Sequence, residues 1–282
     1  MVKVDGYTGL YGIVANPIKH SISPKMHSYA FHLLHMNDVY LAFEVDEHQL
    51  EDFITSVKTL NIKGFNVSMP YKTKIIDYLD ELSDSAKLCG AVNTVKNING
   101  YLKGHISDGE GLYQAIINKG WKVENEKVVV LGAGGAATAI IVELAKKGVR
   151  EIIVYNRSDK KIIHDLNNQF DCHIELKIYN EEMLKDDLKD AYMLIQTTSV
   201  GMIPFEDECL IQNVETLSQH LKVIDIIYKP KETKLLKMAK SQGLECMNGE
   251  DMLLYQGAVS FEFWTGEKMP VDKMKDYLEM EF

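Results

Sequence analysis

Residues 128–131 read Val-Val-Val-Leu and run straight into Gly132-Ala133-Gly134-Gly135-Ala136-Ala137. A short, uniformly apolar run suits a strand buried on both faces, as in a parallel sheet covered by helices. The next stretch, Ala136 to Lys147, reads as a helix, with Gly148 just past its end. Strand, glycine turn and helix in this order commit the chain to a βαβ unit. The turn fits G-x-G-x-x-A, the dinucleotide-binding fingerprint. Gly132 permits the tight bend, Gly134 lets backbone approach a pyrophosphate, and Ala137 is small enough for close helix–strand packing. The helix start then offers free N–H groups and a positive dipole end to phosphates. The competing reading is a glycine turn used only for packing.

A second strand, Ile152 to Tyr155, leads into Asn156-Arg157-Ser158-Asp159-Lys160-Lys161. An NAD site usually carries an acid at this strand end for the ribose 2′-hydroxyl, whereas Arg suits a 2′-phosphate. Arg157 and Lys161 therefore favour NADP. Asp159 keeps NAD open, and a solvated turn of mixed charge is the plainer alternative. Met193 to Ile195 and Val223 to Ile227 read as later strands of the same sheet.

The first third of the 282-residue chain shows the same strand–helix alternation. Leu10 to Ala15, Val39 to Val45 and Gly64 to Val67 read as strands. Met26, Tyr29, Ala30, Leu33 and Leu34 share one helix face, as do Leu50, Phe53, Ile54 and Val57. A parallel sheet with helices on its faces is expected here too. Glu250 to Trp264 reads as a buried helix, apolar nearly all round. The fold class is therefore α/β with two domains: an N-terminal α/β domain, which the resemblance given below makes the substrate domain, and a Rossmann-like, doubly wound NAD(P)-binding domain. Their expected extents are 1–108 and 109–249, with residues 250–282 packing back on the first.

Composition narrows the partners. A net charge of −10 with no basic tract argues against nucleic acid and anionic membrane. The 4 cysteines form no C-x-x-C pair, so neither a disulfide framework nor a thiolate metal site is expected. No leader-like opening is visible, and a cytoplasmic, metal-free protein is the expectation.

Several polar residues stand where chemistry is done. In Ser21-Ile22-Ser23-Pro24, Ser23 suits an N-cap and Pro24 the first helical position. Ser21 adds a second hydroxyl, and the two can hold a carboxylate at the helix start. Asn66-Val67-Ser68-Met69-Pro70-Tyr71-Lys72 repeats the device, with Pro70 expected to open a helix. Lys72 would then oppose the helix dipole at a cost of ~0.3–1 kcal/mol, a local penalty that hints at function. Its plain alternative is an exposed surface lysine. Asp108 is either an N-cap or a site residue. Asn93 is either a turn residue or a ligand contact. Gln256, on an apolar helix, needs a hydrogen-bond partner.

Taken together, these segments resemble the shikimate dehydrogenases, most closely the quinate/shikimate dehydrogenase branch. The motifs are Asn16-Pro17-Ile18-Lys19-His20-Ser21-Ile22-Ser23-Pro24, Asn66 to Lys72, Gly90-Ala91-Val92-Asn93-Thr94, Gly132 to Ala136, Asn156-Arg157-Ser158, Tyr228-Lys229-Pro230 and Met252-Leu253-Leu254-Tyr255-Gln256-Gly257. The resemblance implies reversible hydride transfer between NADP(H), or NAD(H), and C3 of shikimate or 3-dehydroshikimate, in the biosynthesis of aromatic amino acids through chorismate. Quinate is a further candidate substrate. By the same resemblance Lys72 and Asp108 are the catalytic pair. Ser21 and Ser23 hold the substrate carboxylate, while Ser68, Asn93, Asp108, Tyr228 and Gln256 contact the ring hydroxyls or the carboxylate. Asp84, Gly132, Ala133, Gly134, Gly135, Ala136, Asn156, Arg157, Ser158, Asp159, Lys161, Ile226, Gly249 and Met252 lie along the cofactor. A homodimer is compatible with the resemblance.

The chain departs from the family pattern in three places. His105-Ile106-Ser107 precedes Asp108 where the family has an amide at position 106. Ser68 stands where many members carry Thr. Glu250-Asp251 replaces a smaller pair beside Gly249, and such acids would repel a phosphate. Two other readings stand beside this one: another two-domain NAD(P) dehydrogenase with a Lys acid/base, as in folate interconversion, and a nucleotide-binding sensor without turnover.

Overall fold

β-Branched and aromatic residues dominate Leu10 to Val14, and Gly9–Ala15 forms the first strand, β1. In the computed structural model, which describes residues 4–279, it is followed by α1 (Ser23–Leu33), β2 (Asp38–Glu44), α2 (Leu50–Thr59), β3 (Gly64–Val67), β4 (Glu81–Leu82), α3 (Asp84–Cys89), β5 (Thr94–Ile98), β6 (Tyr101–His105) and α4 (Asp108–Asn118). Then come β7 (Lys127–Leu131), α5 (Gly135–Lys146), β8 (Glu151–Asn156), α6 (Lys161–Leu166), β9 (His173–Ile178), α7 (Glu181–Asp187), β10 (Met193–Gln196), β11 (Lys222–Asp225), α8 (Lys234–Ser241), β12 (Glu245–Met247), α9 (Gly249–Thr265) and α10 (Val271–Glu279). The chain divides into two units. One runs up to Gly111 and resumes at Leu254, and the other is Leu112–Leu253.

The first unit holds a six-stranded sheet in the order β2-β1-β3-β5-β6-β4. β1 pairs parallel with β2 and β3, in the βαβ manner expected. The far half departs from the all-parallel expectation, because β5 runs antiparallel to both β3 and β6. The cause is local. Asn99 and Gly100 both have positive φ, 54° and 89°, which is the two-residue turn that folds a hairpin with the native strand twist. The core of this unit joins Tyr11, Ile13, Met26, Phe31 and Tyr40 to Leu254, Phe261 and Trp264 of α9 and to Met274 of α10.

The second unit holds a six-stranded, wholly parallel sheet, β12-β11-β10-β7-β8-β9. Counted from β7, this is strand order 6-5-4-1-2-3, that of a doubly wound nucleotide-binding sheet. β7 is buried throughout, as its unbroken apolar run requires. The order reverses between β7 and β10, so the segments leaving these two strands flank the switch point. No helix among the described residues is long and apolar enough to cross a membrane.

Two expected helix starts differ. α1 has Ile22, already in helical geometry, at its N-cap, so Ser23 is the first helical residue rather than the cap. Pro70 opens no α-helix. Residues 72–73 turn into a five-residue 3₁₀ stretch, Lys74–Tyr78, so Lys72 does not stand in the first turn of an α-helix.

One core residue of the first unit sets a pH limit on folding. His27 is fully buried, stacked on Tyr40 with ring centroids 4.6 Å apart, and neither ring nitrogen has a hydrogen-bond partner among the described residues. Burial holds its pKa down at about 3, against an ordinary 6.5. The unfolded chain takes up this proton below 6.5 and the folded chain does not until about 3, so stability is lost as pH falls through that window. Denaturant unfolding should show the native protein losing up to ~1.4 kcal/mol per pH unit more than His27→Leu there. Equal pH slopes in the two proteins would exclude His27 as the responsible group.

Candidate active site

In the first unit, Lys72 follows the end of β3 and Asp108 begins α4. They are distant in sequence, yet Lys72 Nζ donates to Asp108 Oδ2 at 2.6 Å. Asp108 is 6% exposed, and a buried carboxylate needs compensating partners. Its second oxygen accepts from Asn93 Nδ2 at 2.8 Å. Asn93 is itself buried and ends the approach to β5, so it is not the turn residue its sequence context suggested. Its amide orientation is fixed. Oδ1 accepts from the backbone N–H of Ser107 at 2.9 Å, a group that can only donate, and from Thr94 Oγ1 at 2.9 Å. Nδ2 must therefore face Asp108.

The other polar residues of this unit converge on the same network. Asn66 Nδ2 donates to the Asn93 carbonyl at 3.0 Å, and Asn66 Oδ1 accepts from Tyr40 Oη at 2.7 Å. Ser23 is buried, and its hydroxyl is hydrogen-bonded to the Tyr40 phenol, whose pKa burial raises far above the usual value. Ser21 Oγ accepts from the Ser23 N–H at 3.2 Å. Ser68 is half-buried at the end of β3, its N–H donating to Val14 O at 3.0 Å. Gln256, half-buried on α9, has its Oε1 3.4 Å from Ser107 Oγ. Gly111 explains the proximity of α4 and α9: a Cβ there would lie 2.5 Å from Gln256 N. Ile106, where an amide was expected, is buried as a core residue. Asp84 sits apart from this group as the exposed first residue of α3, 3.7 Å from Lys87.

In the second unit, Gly132 has φ +107° and its N–H donates to Tyr155 O at 2.8 Å. A Cβ at Gly132 would lie 2.6 Å from Thr197 Oγ1, so both its conformation and its surroundings require glycine. Gly134 caps α5 without a side-chain hydrogen bond, and nothing would meet a Cβ at Gly134 or Gly135. The start of α5 thus has room beside it for an anion, and its first-turn N–H groups have no partner within the helix. A cavity of about 370 Å³ opens here, lined by Gly132, Ala133, Gly134, Asn156, Arg157 and Thr198 among others. Ala136 is half-buried and Ala137 buried against the sheet. This glycine cradle and cavity fit a dinucleotide phosphate.

Past β8, Asn156 Nδ2 closes the turn on Ser158 O at 2.8 Å. Asp159 is taken by His164 at 2.5 Å, which holds its carboxyl below the usual range. Lys161 is taken by Asp165 at 2.6 Å. Arg157 is exposed and makes no ion pair among the described residues. At the end of β11, Asp225 accepts from Ile227 N at 3.1 Å and Thr233 Oγ1 at 2.7 Å, fixing the turn that presents Ile226. Gly249 packs on that turn, where a Cβ would lie 2.0 Å from Ile226 O. Met252 is buried one helical turn on, and Tyr228 is half-buried. Glu250 lies 3.4 Å from Lys231, which offsets its charge.

Comparison with known proteins agrees with this geometry. Residues 13–95 match the shikimate dehydrogenase substrate binding domain, 114–247 the shikimate/quinate 5-dehydrogenase family, and 249–279 the shikimate 5′-dehydrogenase C-terminal domain. Shikimate dehydrogenase (NADP(+)) of Listeria monocytogenes serotype 4b is 44% identical over 98% of this chain and 97% of its own length. The chain belongs to the shikimate dehydrogenase family. The crystal structure of shikimate 5-dehydrogenase from Listeria monocytogenes, in complex with shikimate and NAD, superposes with TM-score 0.93 at 43% identity, over 98% of each chain. The fold also matches 5-ketofructose reductase of Gluconobacter sp. strain CHM43, with TM-score 0.89, 30% identity and coverage of 99% and 100%.

Within this shikimate dehydrogenase family chain, sequence reasoning missed two groups. Thr197, Thr198 and Ser199 line the glycine-turn cavity. They leave the carboxyl end of β10, where ligands of open α/β sheets bind, and that rule could have found them. Thr94, Ser107 and Ser260 are fully buried hydroxyls around Asn93. Ser260 was signalled only by being polar on an otherwise apolar helix.

The glycine turn gives a direct test of the local geometry. Gly132→Ala should destabilise the protein by ~1–3 kcal/mol, from left-handed strain plus the Thr197 contact. Gly135→Ala should stay within ~0.5 kcal/mol. Denaturant unfolding without cofactor reads both, and equal stabilities would contradict the turn described.

Proposed function

We propose that the protein is a shikimate dehydrogenase that catalyses the reversible oxidation of shikimate to 3-dehydroshikimate with NADP. The observation that carries this reading is the 2.6 Å pairing of Lys72 with a buried Asp108, in a chain of this family. When bound, the nicotinamide cofactor supplies or accepts the hydride. The protein's own residues manage position and the proton.

Reduction of a carbonyl leaves negative charge on its oxygen, and Lys72 Nζ donates a proton to that atom. In oxidation the pair takes the proton back from the C3 hydroxyl. Asp108 keeps the Lys72 side chain in one direction, and Asn93 keeps Asp108 in place. Ser21 and Ser23 bind the substrate carboxylate at the start of α1. Ser68, Asn93, Tyr228 and Gln256 contact the hydroxyls, and these contacts set which ring is accepted. Quinate, a saturated relative with the same carboxylate, is a second substrate of this reading, supported by the serine at position 68.

For the cofactor, the cradle from Gly132 to Ala136 takes the pyrophosphate. Arg157 takes the 2′-phosphate, with Asn156 and Ser158 shaping the turn. Asp159 and Lys161 are occupied by His164 and Asp165, and Arg157, which lines the glycine-turn cavity, is the cation placed for that phosphate, which supports NADP over NAD. Ile226, Gly249 and Met252 form the surface for the remaining part of the cofactor, and Asp84 contributes from α3. The protein works in the cytoplasm on small molecules.

Steady-state rates with shikimate, quinate and 5-ketofructose, each with NADP and NAD, test the assignment. Shikimate with NADP should give the highest kcat/KM, and preference for 5-ketofructose would overturn the reading. Lys72→Ala should lower kcat by ~10²–10⁴-fold. Near-native turnover would remove Lys72 from the chemistry. Arg157→Ala should raise the KM for NADP by ~10–100-fold, the worth of a charge-assisted hydrogen bond, and leave that for NAD nearly unchanged. Equal loss with both cofactors would contradict its assignment.

A further inference from the structure

We propose that Ser260, on α9, is a positioning residue for the Lys72–Asp108 pair, acting through Ser107 and Asn93. The inference rests on the catalytic role proposed for that pair. Ser260 is fully buried, and its hydroxyl is the junction of two hydrogen-bonded branches. On one side it lies 2.7 Å from Thr94 Oγ1 and accepts from Asn66 Nδ2 at 3.1 Å. On the other it lies 3.1 Å from Ser107 Oγ. Ser107 in turn accepts from Asn93 Nδ2 at 3.0 Å, the same amide nitrogen that donates to Asp108.

Proton counting shows why the junction matters. Thr94, Ser107 and Ser260 each own one hydroxyl proton. One arrangement serves every group: Thr94 donates to Asn93 Oδ1, Ser260 to Thr94 Oγ1, and Ser107 to Ser260 Oγ. Ser107 Oγ then presents only its lone pairs to Asn93 Nδ2, which is what that contact requires. With no acceptor at Ser260, the Ser107 proton turns toward Asn93 Oδ1, 3.2 Å away, or Gln256 Oε1, 3.4 Å away. Either turn shifts the Ser107 oxygen against Asn93 and so tilts the amide plane whose other N–H holds Asp108. The plain role of a helical serine, bonding the carbonyl four residues back, is also available here at 3.0 Å to Gln256 O. It accounts for none of the three contacts to residues outside α9.

Ser260→Ala should therefore leave Asp108, and through it Lys72, less firmly aimed. It should lower kcat by ~3–10-fold, one hydrogen bond's worth, with KM changed by less than about twofold. Ser260→Cys, similar in size with a weak donor and acceptor, should fall between. Because Ser107 and Ser260 act through one contact, Ser107→Ala/Ser260→Ala should lose no more than the worse single variant. A native kcat in folded Ser260→Ala overturns the proposal. So does a multiplicative double-mutant loss, or a KM that rises as much as kcat falls, which would mark Ser260 as structural. Lys72→Ala and Asp108→Asn are assayed alongside. If those two stay active, the reading of the pair itself fails. If they lose activity while Ser260→Ala behaves as native, only the present inference fails.

Discussion

Burial of the Asp108 carboxylate is the constraint that organises the first unit. A charge with 6% exposure cannot be left to solvent, and each oxygen has one strong donor: Lys72 on Oδ2 and Asn93 on Oδ1. Every further requirement follows from those two bonds. Asn93 can donate in that direction only if its carbonyl oxygen is claimed elsewhere, and the Ser107 N–H claims it. That N–H is free to do so because it lies at the start of α4, where backbone donors have no partner inside the helix. The polar interior is thus a consequence of placing one aspartate at a helix start beneath a sheet. Asn66, Thr94 and Ser260 extend it because buried polar groups must themselves be satisfied.

The second unit is governed by a different constraint, close approach of backbone. Gly132 is left-handed and touches Thr197, and Gly249 touches Ile226. Both lie at carboxyl ends of parallel strands, where the order 6-5-4-1-2-3 leaves a crevice at its reversal. No charged residue is needed to build such a site. Helix-start N–H groups and glycine clearance suffice, and in the proposed function the charged residues after β8 only tune which ribose is accepted. The pairing of Asp159 with His164 shows that tuning in progress: an acid in the right stretch of sequence is withdrawn by a neighbour one helical turn away.

How far the sequence could be read depended on whether a signal was local. β7, the glycine turn and α5 were legible because the apolar run Val128 to Leu131 and a G-x-G-x-x-A turn have few other uses. The strand order was not legible, since it depends on which strands meet in space. The β5–β6 hairpin was missed for a different reason. Thr-Val-Lys-Asn-Ile carries no clean alternation, and the Asn99-Gly100 turn that defines it is the stronger cue. Lys72 was singled out by reasoning from a helix dipole that the structure does not provide. Its motif was informative and its local physics was not. Ser107 was noticed only as part of a departure from the family pattern, and Ser260 was passed over because a lone serine on a helix is usually a neutral choice; their partners come from distant segments.

The same energetics bear on whether this is a working enzyme or a nucleotide-binding sensor. Replacing a buried ion pair by apolar residues of similar volume is often neutral or stabilising, so stability alone does not explain why Lys72 and Asp108 are kept. A sensor that merely closed around a polyol could use neutral donors and avoid desolvating two charges. The arrangement here does the opposite: five buried polar side chains, Asn66, Asn93, Thr94, Ser107 and Ser260, converge on orienting one carboxylate toward one ammonium. Binding gains little from fixing that direction so tightly, whereas proton transfer depends steeply on the position of the donor. On the proposed function, the cost of pairing half-buried Lys72 with buried Asp108 is that of holding a transferable proton at a defined point, which is a requirement of turnover and not of recognition.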